Sequence, residues 1–242
     1  MIRFHCPELT PESRTARLPE SDSQHCIRVL RKDLGDELEA VDGRGWLYRC
    51  RITAPHPKRT EVEIIECVAL PKVWGPGITV AVAPTKHLDR MEWLVEKLTE
   101  AGVDRIVPVL CRRSERREIK RERLEKIAVA AMKQSLKAVL PRIDEMTPVG
   151  EFLKECKTYA EASKFIGYCD ESTPRALLAK TYEPGRDAII LIGPEGDFTP
   201  EEVGAALEAG FTAVTMGDNR LRTETAAFVG ADTIHILNQR FL

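Results

Sequence analysis

The chain has 242 residues, and its 36 Lys or Arg and 38 Asp or Glu give a formal net charge of −2. A hydrophobic content of 43% beside 31% charged residues is typical of a folded globular protein and argues against a disordered chain. No apolar run reaches the roughly 18–20 residues of a membrane helix, and the first residues lack the pattern of a signal peptide, so a cytoplasmic location is expected.

Residues 1–72 are predicted to form a small β-rich domain. Residues 37–41 and 46–52 alternate between apolar and polar, and the Asp-Gly-Arg-Gly segment between them supplies turn residues, which predicts a β-hairpin. A third alternating run covers residues 61–68. Several short strands in so few residues favour a small barrel.

Residues 73–242 are predicted to form an α/β domain, after a Pro- and Gly-rich linker around residues 71–77. Strand and helix patterns alternate along this part of the chain, which favours a mostly parallel sheet. The predicted strands cover residues 78–83, 105–110, 164–169, 187–192 and 212–216, and the predicted helices are centred on 91–101, 124–131, 201–209 and 225–237. Pro108 indicates an edge strand or an interrupted ladder.

The seven cysteines and five histidines are scattered along the chain. No CxxC pair occurs, and no two histidines are four residues apart, whereas zinc and redox sites need such close pairs. We therefore expect no metal site. Most of the cysteines are predicted to be small buried residues with free thiols.

A Gly-Pro-Glu-Gly turn at residues 193–196 follows the predicted strand 187–192 and precedes a helix. Thr199, Pro200 and Glu202 have the types expected at the N-cap, N1 and N3 positions of a capping box. Because open α/β sheets bind ligands at the carboxyl ends of their strands, this turn is a candidate ligand site. A tight turn that binds nothing is the alternative.

A second polar turn, at residues 216–224, also lies between a predicted strand and a predicted helix. Arg220, Arg222 and Glu224 are crowded at the point where the helix begins. A cation is unfavourable at a helix N-terminus, so Arg222 suggests a role towards a ligand or substrate. The alternative is an ordinary ion pair between Arg222 and Glu224 or with another domain.

Residues 112–142 contain eleven Lys or Arg and four Glu, a local charge of +7 in a chain of net −2. Such a segment is typical of a surface that binds RNA or DNA. The alternative is a solvated helix with Glu–Lys and Glu–Arg pairs. The basic excess persists beyond Lys133 to Arg142, which favours nucleic acid.

The common nucleotide-site motifs do not occur in the sequence. There is no GxxxxGK[ST] segment, no GxGxxG after a strand and no GxSxG elbow. A ligand at residues 193–196 is therefore not expected to be held through phosphate contacts.

The two turns, Leu-Ile-Gly-Pro-Glu-Gly-Asp-Phe at 191–198 and Gly-Asp-Asn-Arg-Leu-Arg-Thr-Glu-Thr-Ala at 217–226, resemble the RsmE family of the SPOUT superfamily. These enzymes methylate N3 of a uridine in 16S ribosomal RNA. The resemblance covers nearly the whole chain; further matching segments are residues 25–31, 84–86, 111–116 and 132–135, with Arg90 and the helix through Glu96-Lys97. Asp218-Asn219 differs from the small, Pro or Lys residues of the family pattern.

The resemblance implies a PUA-like β-barrel that binds RNA over residues 1–72 and a SPOUT methyltransferase domain with a trefoil knot over 73–242. It also implies a homodimer with the active site at the subunit interface. S-adenosylmethionine would be bound by Leu191, Ile192, Gly193, Pro194, Glu195, Gly196, Met216, Gly217, Arg220, Leu221 and Arg222. The candidate RNA-binding residues are Arg28, Arg31, Arg112, Arg113 and Arg116, and these contacts predict a steep dependence of RNA affinity on salt.

The implied reaction transfers a methyl group to uridine N3, which must first lose its proton. Such a site has to align N3 with the methyl group, accept the proton and stabilise the charge that develops on O2 and O4. We expect Arg222 to stabilise the uridinate and Glu224 to accept the proton or to orient Arg222. A SPOUT methyltransferase that acts on another RNA or base, and a non-enzymatic RNA-binding assembly protein, are the alternatives.

Overall fold

The computed structural model describes residues 2–72, 75–169 and 175–239. The chain divides into two compact units, the first comprising Met1–Val73 with Val129–Leu140 and the second Trp74–Ala128 with Pro141–Leu242. The predicted boundary between residues 72 and 73 stays a prediction, because residues 73 and 74 lie outside the described parts of the chain.

The first unit contains a five-stranded sheet with the order β1-β3-β4-β5-β2. The predicted hairpin is confirmed, since β3 and β4 are antiparallel and Val41 pairs with Leu47. A short helix, α1, and one π-helical turn at His25–Val29 lie between β2 and β3. The strands are β1 (Arg3–His5), β2 (Thr15–Arg17), β3 (Glu37–Val41), β4 (Trp46–Ala54) and β5 (Glu61–Ala69), and α1 covers Glu20–Gln24.

Residues 129–140 belong to the first unit, although the sequence places them within the second domain. Helix α3 (Arg121–Gln134) begins in the second unit and ends in the first. Met132 and Ala138 are buried with Val41 of β3, and Lys133 forms an ion pair with Asp22 at 2.6 Å. These apolar and charged contacts hold the segment in the first unit.

The second unit is built on an eight-stranded sheet with the order β11-β13-β10-β12-β6-β7-β8, and β9 also pairs with β7. Every strand pair in this sheet is parallel, so the predicted α/β class is confirmed. The strands are β6 (Ile78–Val82), β7 (Arg105–Leu110), β8 (Arg142–Ile143), β9 (Thr147–Pro148), β10 (Ser163–Gly167), β11 (Ala176–Leu177), β12 (Ala188–Ile192) and β13 (Thr212–Thr215). The other helices are α2 (Leu88–Ala101), α4 (Val149–Cys156), α5 (Leu178–Thr181), α6 (Pro200–Glu208) and α7 (Thr223–Gln239).

The local signals in the sequence have the expected structural effects. Helix α2 ends at Gly102, whose φ of 86° is left-handed and suits glycine. Pro108 pairs with β6 on one side of β7, whereas on the other side β8 pairs only with residues 105–106 and β9 only with 109–110. The ladder is therefore interrupted at the proline, because proline lacks the N–H that would continue it.

The sheet topology brings the two predicted turns together. Strand β10 lies between β12 and β13, and all three are parallel, so their carboxyl ends share one edge of the sheet. Gly167 ends β10, and a Cβ there would lie 2.8 Å from Ile192 Cδ1 and 3.2 Å from Met216 Cε. The missing side chain at Gly167 allows residues from the neighbouring strands to meet.

Burial of the cysteines agrees with the expectation from sequence. All seven are free, and burial raises the pKa of the Cys6, Cys50, Cys111 and Cys156 thiols to about 12. These thiols are therefore protonated and act as core side chains.

No helix in the described ranges is long and apolar enough to span a membrane.

Candidate functional site

A cavity of about 1000 Å³ lies at the carboxyl edge of the sheet in the second unit. Of the eleven residues predicted to bind the cofactor, all except Leu191 line it; Leu191 is fully buried within β12. The predicted catalytic residues Arg222 and Glu224 line the same cavity. The cavity walls come from the segments that follow β10, β12 and β13, from the start of α7 and from Arg90 of α2.

The turn after β12 is held by contacts from distant parts of the sequence. Arg113 Nη1 donates to the carbonyl oxygens of Gly196 and Phe198, each at 3.1 Å. Glu195 Oε1 accepts a 3.0 Å hydrogen bond from the backbone N–H of Lys86. These contacts fix the turn from both sides, so this wall of the cavity is formed before any ligand binds.

Gly193 is required by packing within that turn. A Cβ at residue 193 would lie 2.9 Å from two ring carbons of Phe198, which is a steric clash. The ring is buried in the core, with 4% of its surface exposed, and has little room to move. The predicted capping box follows directly, because Thr199 Oγ1 accepts from Glu202 N and Glu202 Oε2 accepts from Thr199 N.

The turn after β13 is more open. Thr215 Oγ1 donates to the carbonyl of Gly217 at 2.6 Å, and Gly217 has a φ of +132°, a conformation that side chains rarely adopt. No described atom lies within 4 Å of a Cβ built on Gly217, so its conformation rather than crowding favours glycine. Asp218, Asn219 and Arg220 are exposed at the cavity rim.

Glu224 is buried at the start of α7 and has 7% of its surface exposed. Its Oε1 lies 3.9 Å from Arg90 Nε, while Oε2 has no hydrogen-bond partner among the described residues. Arg222 is exposed, and its carbonyl accepts from Ala226 N in the first turn of the helix. Among the ion pairs of the described chain, Glu224 pairs with Arg90 rather than with Arg222, so the simple Arg222–Glu224 pair does not explain these residues.

The chemistry of the cavity fits the cofactor that the resemblance implies. Its volume is within the range of about 300–1000 Å³ for small-molecule sites. Ile192, Val214, Met216 and Leu221 supply an apolar wall suitable for an adenine ring. Glu224 Oε2, which has no hydrogen-bond partner among the described residues, gives the cavity a buried hydrogen-bond acceptor. The charged residues of the lining balance, with four arginines and four carboxylates: Arg90, Arg175, Arg220 and Arg222, and Glu195, Asp197, Asp218 and Glu224.

The segment after β10 also belongs to the site, although no motif in the sequence marks it. Gly167, Tyr168, Cys169 and Arg175 line the cavity, and Asp197 Oδ2 accepts from the N–H of Cys169 at 2.9 Å. The rule that ligands bind at the carboxyl ends of parallel strands applies to β10 as well as to β12. That rule could have identified the segment, although its residue types carry no recognisable motif.

The candidate RNA-binding residues fall into two groups. In the first unit, Arg28 lies in the π-helical turn and Arg31 has a φ of 54°; both are exposed. In the second unit, Arg112 and Arg113 are exposed, while Arg116 is half-buried and donates to the carbonyls of Thr85 and Lys86. Arg113 and Arg116 therefore have structural contacts, and RNA contact by all five residues stays a prediction.

Comparison with known proteins gives two family matches. Residues 75–235 match the family described as an RNA methyltransferase domain, and residues 18–65 match the RNA methyltransferase PUA domain. The first match covers well over half of the chain and includes every residue that lines the cavity.

Several solved structures resemble the whole chain. A probable rRNA-methyltransferase from Porphyromonas gingivalis is 43% identical, with 100% of each chain covered and a TM-score of 0.92. Ribosomal RNA small subunit methyltransferase E from Neisseria gonorrhoeae, bound to S-adenosylmethionine, is 30% identical, with 98% of each chain covered and a TM-score of 0.85. The protein of the same name from Bacillus subtilis is 25% identical over 92% of this chain and 90% of its own length.

Proposed function

The chain belongs to the RNA methyltransferase family that includes ribosomal RNA small subunit methyltransferase E, and from this premise we propose that it methylates N3 of a uridine in 16S ribosomal RNA. It is an S-adenosylmethionine-dependent rRNA methyltransferase, with a PUA domain that precedes the catalytic domain. The finer assignment, to N3 of a uridine, rests on the resemblance of the two turns to the RsmE family.

One observation carries the proposal: the turns after β12 and β13 line one cavity together with a buried carboxylate that has a free oxygen. The first turn offers a preformed wall for the cofactor. The second turn and the start of α7 bring Arg222 and Glu224 to the same space. A site with both a cofactor wall and a proton acceptor suits methyl transfer to a nitrogen that must lose a proton.

S-adenosylmethionine supplies an electrophilic methyl group on a sulfonium when it is bound. In our proposal Glu224 Oε2 takes the proton from uridine N3, directly or through water, and the N3 lone pair then forms the new bond to carbon as the sulfur–carbon bond breaks. Arg90 pairs with one oxygen of this carboxylate, its Nε lying 3.9 Å from Oε1, so that Oε2 stays free for the proton. Arg222, exposed at the cavity wall, stabilises the charge on O2 or O4 of the uridinate.

The target base has to be unpaired or removed from its pairing, because N3 lies in the Watson–Crick face. We propose that Arg28 and Arg31 of the first unit and the basic residues of the second unit bind the RNA. A ribosomal substrate would place the enzyme in the cytoplasm. RNA binding of this kind should weaken steeply as salt rises, and an affinity unchanged between low and moderate salt would contradict it.

We also propose a homodimer, as the resemblance implies. Two large apolar side chains are exposed and could be covered by a second subunit: Trp93 of α2 is 41% exposed and Ile236 of α7 is 53% exposed. Light scattering coupled to gel filtration would test this: a single species with the mass of one chain at micromolar concentration would contradict the dimer.

The decisive experiment is methyl transfer from labelled S-adenosylmethionine to small ribosomal subunits that lack their native modification, with the product nucleoside identified by mass spectrometry. We expect 3-methyluridine. A different methylated nucleoside would favour a methyltransferase with another target base. Failure to bind the cofactor at all would favour a non-enzymatic RNA-binding protein.

A further inference from the structure

The eleven basic residues at positions 112–142 have different roles in the structure. Several of them already have partners. Arg113 and Arg116 donate hydrogen bonds to backbone carbonyls. Four others form ion pairs: Arg121 with Glu125 and Glu145, Arg123 with Glu92, Lys133 with Asp22, and Arg142 with Asp144. The side chains of Arg117 and Lys120 are exposed and form no ion pair or hydrogen bond with any described residue. Their charges are therefore available to a ligand.

Arg117 and Lys120 lie at a concave surface of about 590 Å³ in the second unit, which we call the basic groove. Its apolar lining comes from Leu88, Ile119, Leu124 and Met146. Leu124 is fully buried and the other three are partly exposed, so the groove has an apolar floor that solvent can reach.

The acidic residues that line the basic groove do not cancel its positive charge. Glu145 is paired with Arg121 at 3.2 Å, and Glu118 is the other carboxylate in the lining. Arg123 and Arg116 also line the groove, and both are already engaged. With Arg117 and Lys120 facing one unpaired carboxylate, the groove attracts an anion.

A chain of hydrogen bonds connects the groove to the methyl-transfer cavity. Arg116 lines the groove and donates 2.7 Å from Nη2 to the carbonyl of Lys86. The N–H of Lys86 in turn donates to Glu195, which lines the cavity. A nucleic acid strand that enters the cavity therefore has an anion-binding surface along the adjoining segment of the same unit.

We propose that the basic groove binds one unpaired nucleotide of the substrate RNA, next to the target uridine in the strand. Its base lies on the apolar floor, and its phosphate contacts Arg117 and Lys120. Single-stranded RNA is recognised in this manner, by unstacked bases on apolar or planar surfaces and by phosphates on cations. This inference rests on the proposed function and adds a second binding site to it.

The test uses the double variant Arg117→Gln/Lys120→Gln in the full chain, with small ribosomal subunits lacking the modification as substrate. We expect KM for the subunits to rise about tenfold, and the slope of log(kcat/KM) against log salt to become shallower by about 0.7, the contribution of one phosphate contact with a single strand. The affinity for S-adenosylmethionine, measured by calorimetry, should not change.

The matched control is Lys154→Gln/Lys157→Gln, which removes two exposed positive charges near and after the end of α4. It changes the net charge equally but leaves the groove intact. The inference is overturned if both double variants have the same KM and the same salt slope. This outcome differs from failure of the proposed function, in which the unaltered enzyme itself would transfer no methyl group to the subunits.

A second variant, Ile119→Ser, tests the floor without a change of charge. We expect a several-fold rise in KM with an unchanged salt slope, because a base contact releases no counterions. Thermal unfolding would establish that the variant is folded. An unchanged KM in a folded Ile119→Ser enzyme would overturn the placing of a base on this floor.

Discussion

The turns after β12 and β13 lie at one edge of the sheet and line one cavity, but they are held in different ways. The β12 turn is fixed by Arg113, by the N–H of Lys86 and by the Phe198 ring. The β13 turn is braced mainly by its own Thr215, and residues 218–220 are exposed. Both turns contain glycine and follow a parallel strand, so residue type alone does not reveal the difference.

We propose that this difference separates two tasks within the site. A wall fixed by long-range contacts binds a ligand without a large ordering cost, which suits the cofactor. An exposed turn that leads into the buried Glu224 suits the reacting side, where an RNA base has to enter and leave. Changes around the first turn should therefore affect cofactor affinity and stability, while a change at Glu224, at the end of the second turn, should affect the rate.

The largest effect is expected for Glu224→Gln. Removal of a general base lowers the rate by about 10²–10⁴-fold, so kcat at saturating cofactor should fall by at least about 100-fold. Single-turnover methyl transfer to small subunits measures this, with Glu151→Gln, an exposed residue of α4, as the control. Turnover close to that of the unaltered enzyme would remove Glu224 from the mechanism.

Gly193→Ala should damage the first turn, because the new Cβ would lie 2.9 Å from the Phe198 ring. Overpacking of this kind costs about 1–3 kcal/mol, and we expect a lower melting temperature and a cofactor Kd raised by at least about tenfold. Gly204→Ala in α6 is the matched control, since no described atom lies within 4 Å of its Cβ. That variant should be more stable by about 0.5–1 kcal/mol; equal loss in both variants would contradict the packing argument.

Local sequence signals predicted the capping box that follows the first turn, but they did not predict the long-range contacts that fix the turn. Thr199, Pro200 and Glu202 act within a few residues of one another, so their capping box could be recognised in the sequence. Arg113 acts on carbonyls more than 80 residues away, and such a contact depends on the order of β7 and β12 in the sheet. No periodicity in a single sequence encodes that order.

The same limit applies to the reacting side and to the domain division. The sequence placed Arg222 and Glu224 at a helix start, but it did not show that Arg90 on α2 is the partner of Glu224. The helix centred on residues 124–131 was recognisable from its apolar spacing, yet the pattern does not say which core Met132 and Ala138 join. Strands of two residues, such as β8, β9 and β11, are too short to show any alternation.

A smaller effect is expected for Arg113→Met, which removes the guanidinium and keeps an unbranched side chain. The loss of two charge-assisted hydrogen bonds to the turn should cost about 1–2 kcal/mol, because both are partly solvated. The cofactor Kd should rise several-fold while kcat changes little. Arg112→Met, next in the chain and exposed, should leave Kd unchanged; an equal rise in both would indicate a general electrostatic effect.

The smallest effect is expected at Asp218, where this chain departs from the family pattern. Its exposed carboxylate lies at the rim of a cavity that we expect to hold a sulfonium cation. An exposed charge pair contributes about 0.2–1 kcal/mol, so Asp218→Asn should weaken S-adenosylmethionine binding by up to about fivefold. S-adenosylhomocysteine has a neutral sulfur, and its Kd should not change. The ratio of the two Kd values, measured by calorimetry at low and moderate salt, isolates the attraction between the carboxylate and the sulfonium. The variant Glu208→Gln, outside the cavity lining, controls for net charge. If both ligands weaken equally, Asp218 acts through the shape of the exposed turn, and the β13 turn is then more firmly fixed than its contacts indicate.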